Sequence, residues 1–294
     1  MEDEDTLVHH HIQRGDMLRG VKFAFILMLL FGLASTVSVQ AREKDSRPLC
    51  KKPPKNSRIY VGPQFAHLEL QIREALPGST YTDGGQKFNG CLGGLVVAYE
   101  YKKFRSLYTA LLGGWLTGTI SDTGFPSRRI NDASGELRFG YNYMALQGEK
   151  WVVTPYIGFG FNYNGQKKEG VSPHVKYQYF KYYLPVGLIL NYNLRRWITI
   201  GFGFEWLPDL DSTLTVSTFP GARFTLKRKN NQYFVEMPFM FRPDKRGRWE
   251  IALTPYWKRR KDGQSDLVAA LLPLGYPKQT YTYWGGTLTF GYKF

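Results

Sequence analysis

Residues 281–294 read "YTYWGGTLTFGYKF" and close the chain on Phe294. Every second residue back from the end gives Phe294, Tyr292, Phe290, Leu288, Gly286 and Trp284. The interleaved set is Lys293, Gly291, Thr289, Thr287, Gly285 and Tyr283. One face is apolar and aromatic, and the other is mostly small or polar. A period of two with unlike faces predicts a β-strand between two different environments.

The same alternation recurs along the chain. It predicts ten strands, at Arg58–Ile72, Cys91–Tyr101, Leu107–Thr119, Gly135–Tyr143, Trp151–Tyr163, Tyr182–Tyr192, Trp197–Trp206, Gln232–Arg242, Trp249–Lys258 and Thr280–Phe294. Most approach the roughly 9–11 residues with which a tilted strand crosses a bilayer. In "WITIGFGFEW" the residues Ile198, Ile200, Phe202, Phe204 and Trp206 share one face, with Thr199, Gly201, Gly203 and Glu205 on the other. Tyr233, Val235, Met237, Phe239 and Phe241 align likewise. The first strand changes phase near Gly62–Pro63, which predicts a bulge there. The connections alternate between long, as in "ISDTGFPSRRINDAS", and short, as in "KKFRS" and "NLRR".

Regular strands, alternating long and short connections and the aromatic at Phe294 resemble the bacterial outer-membrane β-barrel proteins. The resemblance spans residues 58–294 and implies an all-β fold: a transmembrane antiparallel β-barrel of about ten strands with long outer loops and short periplasmic turns. It places the apolar face against lipid. It also implies that Leu288, Phe290, Tyr292 and Phe294 form the signal read by the barrel-assembly machinery. A soluble sandwich is disfavoured, because Gly93, Gly158, Gly160, Gly187, Gly201, Gly203 and Gly285 would make a poor dry core and suit a crowded lumen.

Upstream, "AFILMLLFGLASTV" follows Arg19 and Lys22 and precedes small residues ending at Ala41. Residues 17–41 read as a secretory signal peptide, residues 1–16 as an upstream extension, and residues 42–57 as a basic periplasmic tail. Cleavage would remove more acidic than basic residues, raising the net charge above the +15 of the full chain. For an exported chain the expected counterparts are outer-membrane lipids and lipopolysaccharide phosphates, not nucleic acid. Cys50 and Cys91 are expected at opposite ends of the barrel and therefore unbonded to each other.

Charges on the inward parity are Glu100, Glu136, Arg138, Glu205, Glu236, Arg242, Glu250, Lys258 and Lys293, joined by His67 and Glu69. Facing lipid, an Arg or Lys near the midplane would cost about 2–4 kcal/mol. Inside, the charges can pair into a network that fills the barrel or lines a narrow path. Lys227, Arg228, Lys229, Arg259, Arg260 and Lys261 form basic clusters at the outer rim, candidates for contacting lipopolysaccharide or another anionic ligand. No cofactor or metal motif is present. The expected role is structural, surface-binding or that of a minor narrow pore. The alternative is an omptin-like rim protease, for which His174, Asp209 and Asp211 are the available residues.

Overall fold

A computed structural model of the chain describes residues 57–73, 85–102, 106–145, 150–170, 175–195, 197–217, 223–227, 231–244, 247–265, 268–269 and 273–294. The expected extension, signal peptide and all of the basic tail but Ser57 lie outside these residues, as do Cys50 and His174. The chain divides into two units, Met1–Pro53 and Pro54–Phe294, and the second holds the fold.

Ten staves make it up: β1 (Ser57–Ile72), β2 (Lys87–Lys102), β3 (Leu107–Asp122), β4 (Phe125–Tyr141, continued by Tyr143–Ala145) and β5 (Trp151–Lys168). Then follow β6 (Lys176–Tyr183 and Val186–Arg195), β7 (Ile198–Val216), β8 (Asn231–Glu236 and Phe239–Phe241), β9 (Trp249–Asp262) and β10 (Gln279–Lys293). Breaks within β6 and β8 fall at Pro185 and Pro238, which have no N–H to give to a ladder. Each stave pairs antiparallel with its sequence neighbours. β1 closes the ring on β10, from Arg58↔Lys293 to Ile72↔Gln279. No edge remains, so the ladder satisfies the backbone internally, as lipid demands.

The outward residues nearest the four short turns are apolar and bounded by two aromatic rings. At the turn end, Trp151 packs on Tyr192 and Trp249 on Tyr292, with ring centroids 4.6 and 5.0 Å apart. At the other limit Trp257 meets Trp284, Tyr163 meets Phe180 and Phe204 meets Tyr233. At ~3.4 Å per residue and a tilt of ~40°, Trp249 and Trp257 are ~20 Å apart in height, close to the ~25 Å apolar band of such barrels.

Beyond the second ring the staves continue and their polarity inverts. On β1 the outward residues change from Ile59, Val61 and Phe65 to His67, Glu69 and Gln71. The inward residues change from Arg58, Tyr60 and Gln64 to Ala66, Leu68, Leu70 and Ile72. The register against β2 runs unbroken from Ser57↔Tyr101 to Gln71↔Lys87, so the expected bulge at Gly62–Pro63 is absent. The change of phase is a change of environment: lipid outside below the ring, water above it.

This inversion corrects several sequence boundaries. β2 begins at Lys87 instead of Cys91, β4 at Phe125 instead of Gly135, and β7 runs to Val216 instead of Trp206. The segment expected as the second long loop is a hairpin: Asp122 pairs with Phe125 around Thr123–Gly124, where Gly124 takes φ +87°. His67 and Glu69 face outward, not into the lumen, and Gly93 points outward against Phe65.

Candidate functional site: a layered charged lumen

The inward faces build three polar layers. Nearest the turns, Arg58 is the hub. Its Nε donates to Glu100 at 2.7 Å and its Nη1 to Glu250 at 2.6 Å. Glu250 also accepts Arg242 Nε at 3.1 Å and pairs with Lys293 Nζ at 3.0 Å. Tyr60 donates its hydroxyl to Glu100 at 3.0 Å. Glu100 and Glu250 are buried, while Arg58, Arg242 and Lys293 keep a partly open edge.

In the middle layer Arg138 sits between Glu136 and Glu205 and lies 4.8 Å above the Tyr156 ring. Tyr156 donates to Glu205, and Tyr183 to Glu136 at 3.3 Å. Both rings need room. A Cβ at Gly187 would overlap Tyr156, and one at Gly160 would overlap Tyr183. These inward glycines are therefore the seats of the two tyrosines. Glu236 lines the same cavity of about 220 Å³, with Lys258 and the Gln64–Tyr256 pair.

The third layer lies toward the long connections. Asp132 accepts Arg260 Nη1 at 2.8 Å, Tyr283 at 2.7 Å, Asn162 at 2.7 Å and Asn164 at 3.1 Å. Arg260 also stacks on Tyr281, 4.0 Å from the ring centre. Lys181 bridges Asp209 at 3.2 Å and Asp262 at 2.9 Å. Those two carboxylates are driven apart although they share one lysine. Burial pushes Asp209 up to about 6, against the pull of Lys181 and the Gln232 amide. For Asp262 burial is outweighed by Lys181 and Arg260, and its pKa falls below the usual carboxylate value.

Beside this layer the inversion supplies an apolar filling, drawn from β1–β4 on one side and β7 on the other. Leu68, Leu70, Ile120, Ile130 and Leu214 are fully buried, with Phe88, Val216 and Leu226 packed among them. Arg128 ties the two halves together: it lies 4.5 Å over Phe88 and donates to Gln166 at 2.9 Å. Toward the long connections the interior is thus packed with side chains. In a low dielectric these charges are held by the geometry of their opposite partners more than by net gain.

Glu100, Glu136, Arg138, Glu205, Glu236, Arg242, Glu250, Lys258 and Lys293 all lie on the inner face, in the first two layers or on the cavity between them. The third layer was missed. Its residues follow the inversion, where inward positions no longer alternate with apolar ones, so Asp132, Lys181 and Asp262 read as loop. Arg260 is the clear correction. Its place in "WKRRKDG" suggested an exposed rim, yet it is fully buried, while Arg259 and Lys261 on the same stave point outward. Lys227 is exposed. Arg228 and Lys229 lie outside the described residues. Leu288, Phe290, Tyr292 and Phe294 face outward on the apolar band, with Phe294 6.4 Å from the Tyr99 ring. Cys91 is a free, exposed thiol 4.0 Å from His67 Nδ1.

No protein-family model matches the chain, and no curated protein matches its sequence. Among solved structures it is similar to the outer membrane protease OmpT from Escherichia coli. That likeness has a TM-score of 0.52 and 12% identity, and covers 85% of this chain and 100% of that one. The translocator domain of the autotransporter NalP from Neisseria meningitidis aligns over 95% of this chain and 99% of its own, at 9% identity and a TM-score of 0.41. The outer membrane protein OprG from Pseudomonas aeruginosa covers 82% and 98%, at 13% identity and 0.34. Closed ring, outward apolar band, aromatic girdles and the OmpT likeness agree: the chain has the fold of a bacterial outer-membrane β-barrel, ten strands around.

Proposed function

We propose that the protein is a structural, surface-presenting barrel of the outer membrane and not a channel, with its short turns in the periplasm and its long connections outside. The packed outer interior carries this reading. Side chains of Leu68, Leu70, Ile120, Ile130, Arg128, Arg260 and Tyr281 are all but inaccessible to water, which favours a filled interior over an aqueous path through that half. Small barrels fill their interiors in this way, and wide aqueous channels belong to barrels of about 16–18 strands. The staves above the band would act as a rigid pedestal for the long connections. Arg259 and Lys261 emerge outward just past Trp257, at the height where lipopolysaccharide phosphates would meet them. The face carrying Leu288, Phe290, Tyr292 and Phe294 would be the one presented to the assembly machinery. Planar-bilayer recording of the refolded protein tests the central reading. It should show no discrete steps, and a reproducible unitary conductance would overturn it.

Proteolysis at the outer rim is the second reading, and the OmpT likeness is what favours it, since that protein is an outer membrane protease. Asp209 is not poised for it: its carboxylate is occupied inside the barrel by Lys181 and Gln232. Among the described residues the one histidine is His67, which faces outward beside Cys91. Turnover of a basic peptide panel, abolished by Asp211→Asn, would restore this reading.

A further inference from the structure

Among the described residues, the layer at the turn end has more cations than carboxylates. Arg58, Lys102, Arg242 and Lys293 converge on a second cavity, of about 170 Å³, at the mouth of the lumen. Among the described residues that line it or pair with them, the carboxylates are Glu100 and Glu250, which leaves two positive charges in excess. Arg58 is held by both acids, and Glu250 is shared with Arg242 and Lys293. Lys102 makes no close ion pair among the described residues and feels Glu100 and Glu250 only at longer range, both being already engaged by Arg58. Its ammonium lies 5.7 Å over the Tyr108 ring, at the wall of both cavities.

Hydrogen bonding points the same way. Arg242 Nη1 donates to Thr199 Oγ1 at 3.0 Å, and Thr199 donates to Asn193 Oδ1 at 2.8 Å. That chain uses the acceptor of the Asn193 amide, and Asn193 itself lines the cavity. The mouth therefore offers ammonium, guanidinium and amide donors, while its two carboxylates are already spent. Low-dielectric barrel walls focus such a field. Two excess cations match a phosphate monoester or inorganic phosphate, which carries about −1.5 to −2 at neutral pH, better than a singly charged carboxylate or lipid phosphodiester. We propose that the mouth of the lumen at the short-turn end is a binding site for a soluble phosphate dianion. The periplasmic origin of that ligand rests on the orientation given above, but the site itself does not.

The experiment separates the two, because it is done in zwitterionic detergent, where orientation and conduction play no part. Isothermal titration of the refolded protein with inorganic phosphate should give saturable binding of one equivalent. Lys102→Gln should weaken it about tenfold, the scale of one charge-assisted hydrogen bond. Lys102→Arg should restore it, with folding of each variant confirmed by its heat-modifiable mobility. Absence of saturable binding, or equal binding by Lys102→Gln, would overturn the proposal. The source is settled in phosphatidylcholine nanodiscs with and without phosphatidylglycerol. Unchanged phosphate affinity is expected, and competition by the added lipid would overturn the soluble source in favour of a headgroup.

Discussion

Arg259 and Arg260 are adjacent and chemically identical, yet the barrel wall puts one in water and the other in a dry interior. Arg259→Ala removes an outward side chain and should shift stability by no more than ~0.5 kcal/mol. Arg260→Ala removes a guanidinium that is 1% exposed and paired with Asp132, itself 7% exposed. Asp132 would keep Tyr283, Asn162 and Asn164 as donors but lose its nearest charge, and Asp262 would lose one of its two cations. Breaking such a buried pair from one side costs about 3–5 kcal/mol. With a urea slope near 2 kcal/mol per molar, the unfolding midpoint should fall by roughly 2 M. The assay is tryptophan fluorescence of the refolded barrel in urea, read in both directions. Asp132→Asn combined with Arg260→Met should cost less than the two single changes added together, because they remove the two ends of one interaction. Equal midpoints for Arg259→Ala and Arg260→Ala would refute the inward placement and return Arg260 to the surface.

The raised pKa of Asp209, about 6, means the folded state holds its proton longer than the unfolded chain does. Stability from this group is therefore full only below the ordinary carboxylate value of about 3.8 and is lost as pH rises from there through 6, by up to about 3 kcal/mol. Asp209→Asn should flatten that part of the urea midpoint-versus-pH curve, and an unchanged slope would argue against it. Deleting Phe294 should lower the folded, heat-modifiable outer-membrane fraction while leaving export intact, and wild-type assembly of the truncated chain would count against the terminal signal. An epitope placed beside Gly124, at the tip of the β3–β4 hairpin, should be reached by antibody on whole cells. One beside Gly247, in a short turn, should need permeabilised cells, and the opposite result would invert the topology.

What the sequence by itself determined was the membrane band. Alternation such as Ile198, Ile200, Phe202 and Phe204 against Thr199, Gly201 and Gly203 is imposed residue by residue, because each side chain must suit either lipid or lumen. Inward charges such as Glu205 and Arg138 were legible for the same reason. Above the band the rule reverses, since water replaces lipid outside and side chains such as Leu68 and Leu70 must pack within. A one-dimensional pattern registers that reversal as a break, so strand ends were read too early and a bulge was expected at Gly62–Pro63. Only the closed ring decided the rest. Asp132 on β4 reaches Arg260 on β9 across the lumen, and Lys181 on β6 reaches Asp262 on β9. Such pairings have no local signature, because they are set by which inward positions face one another once ten staves have closed.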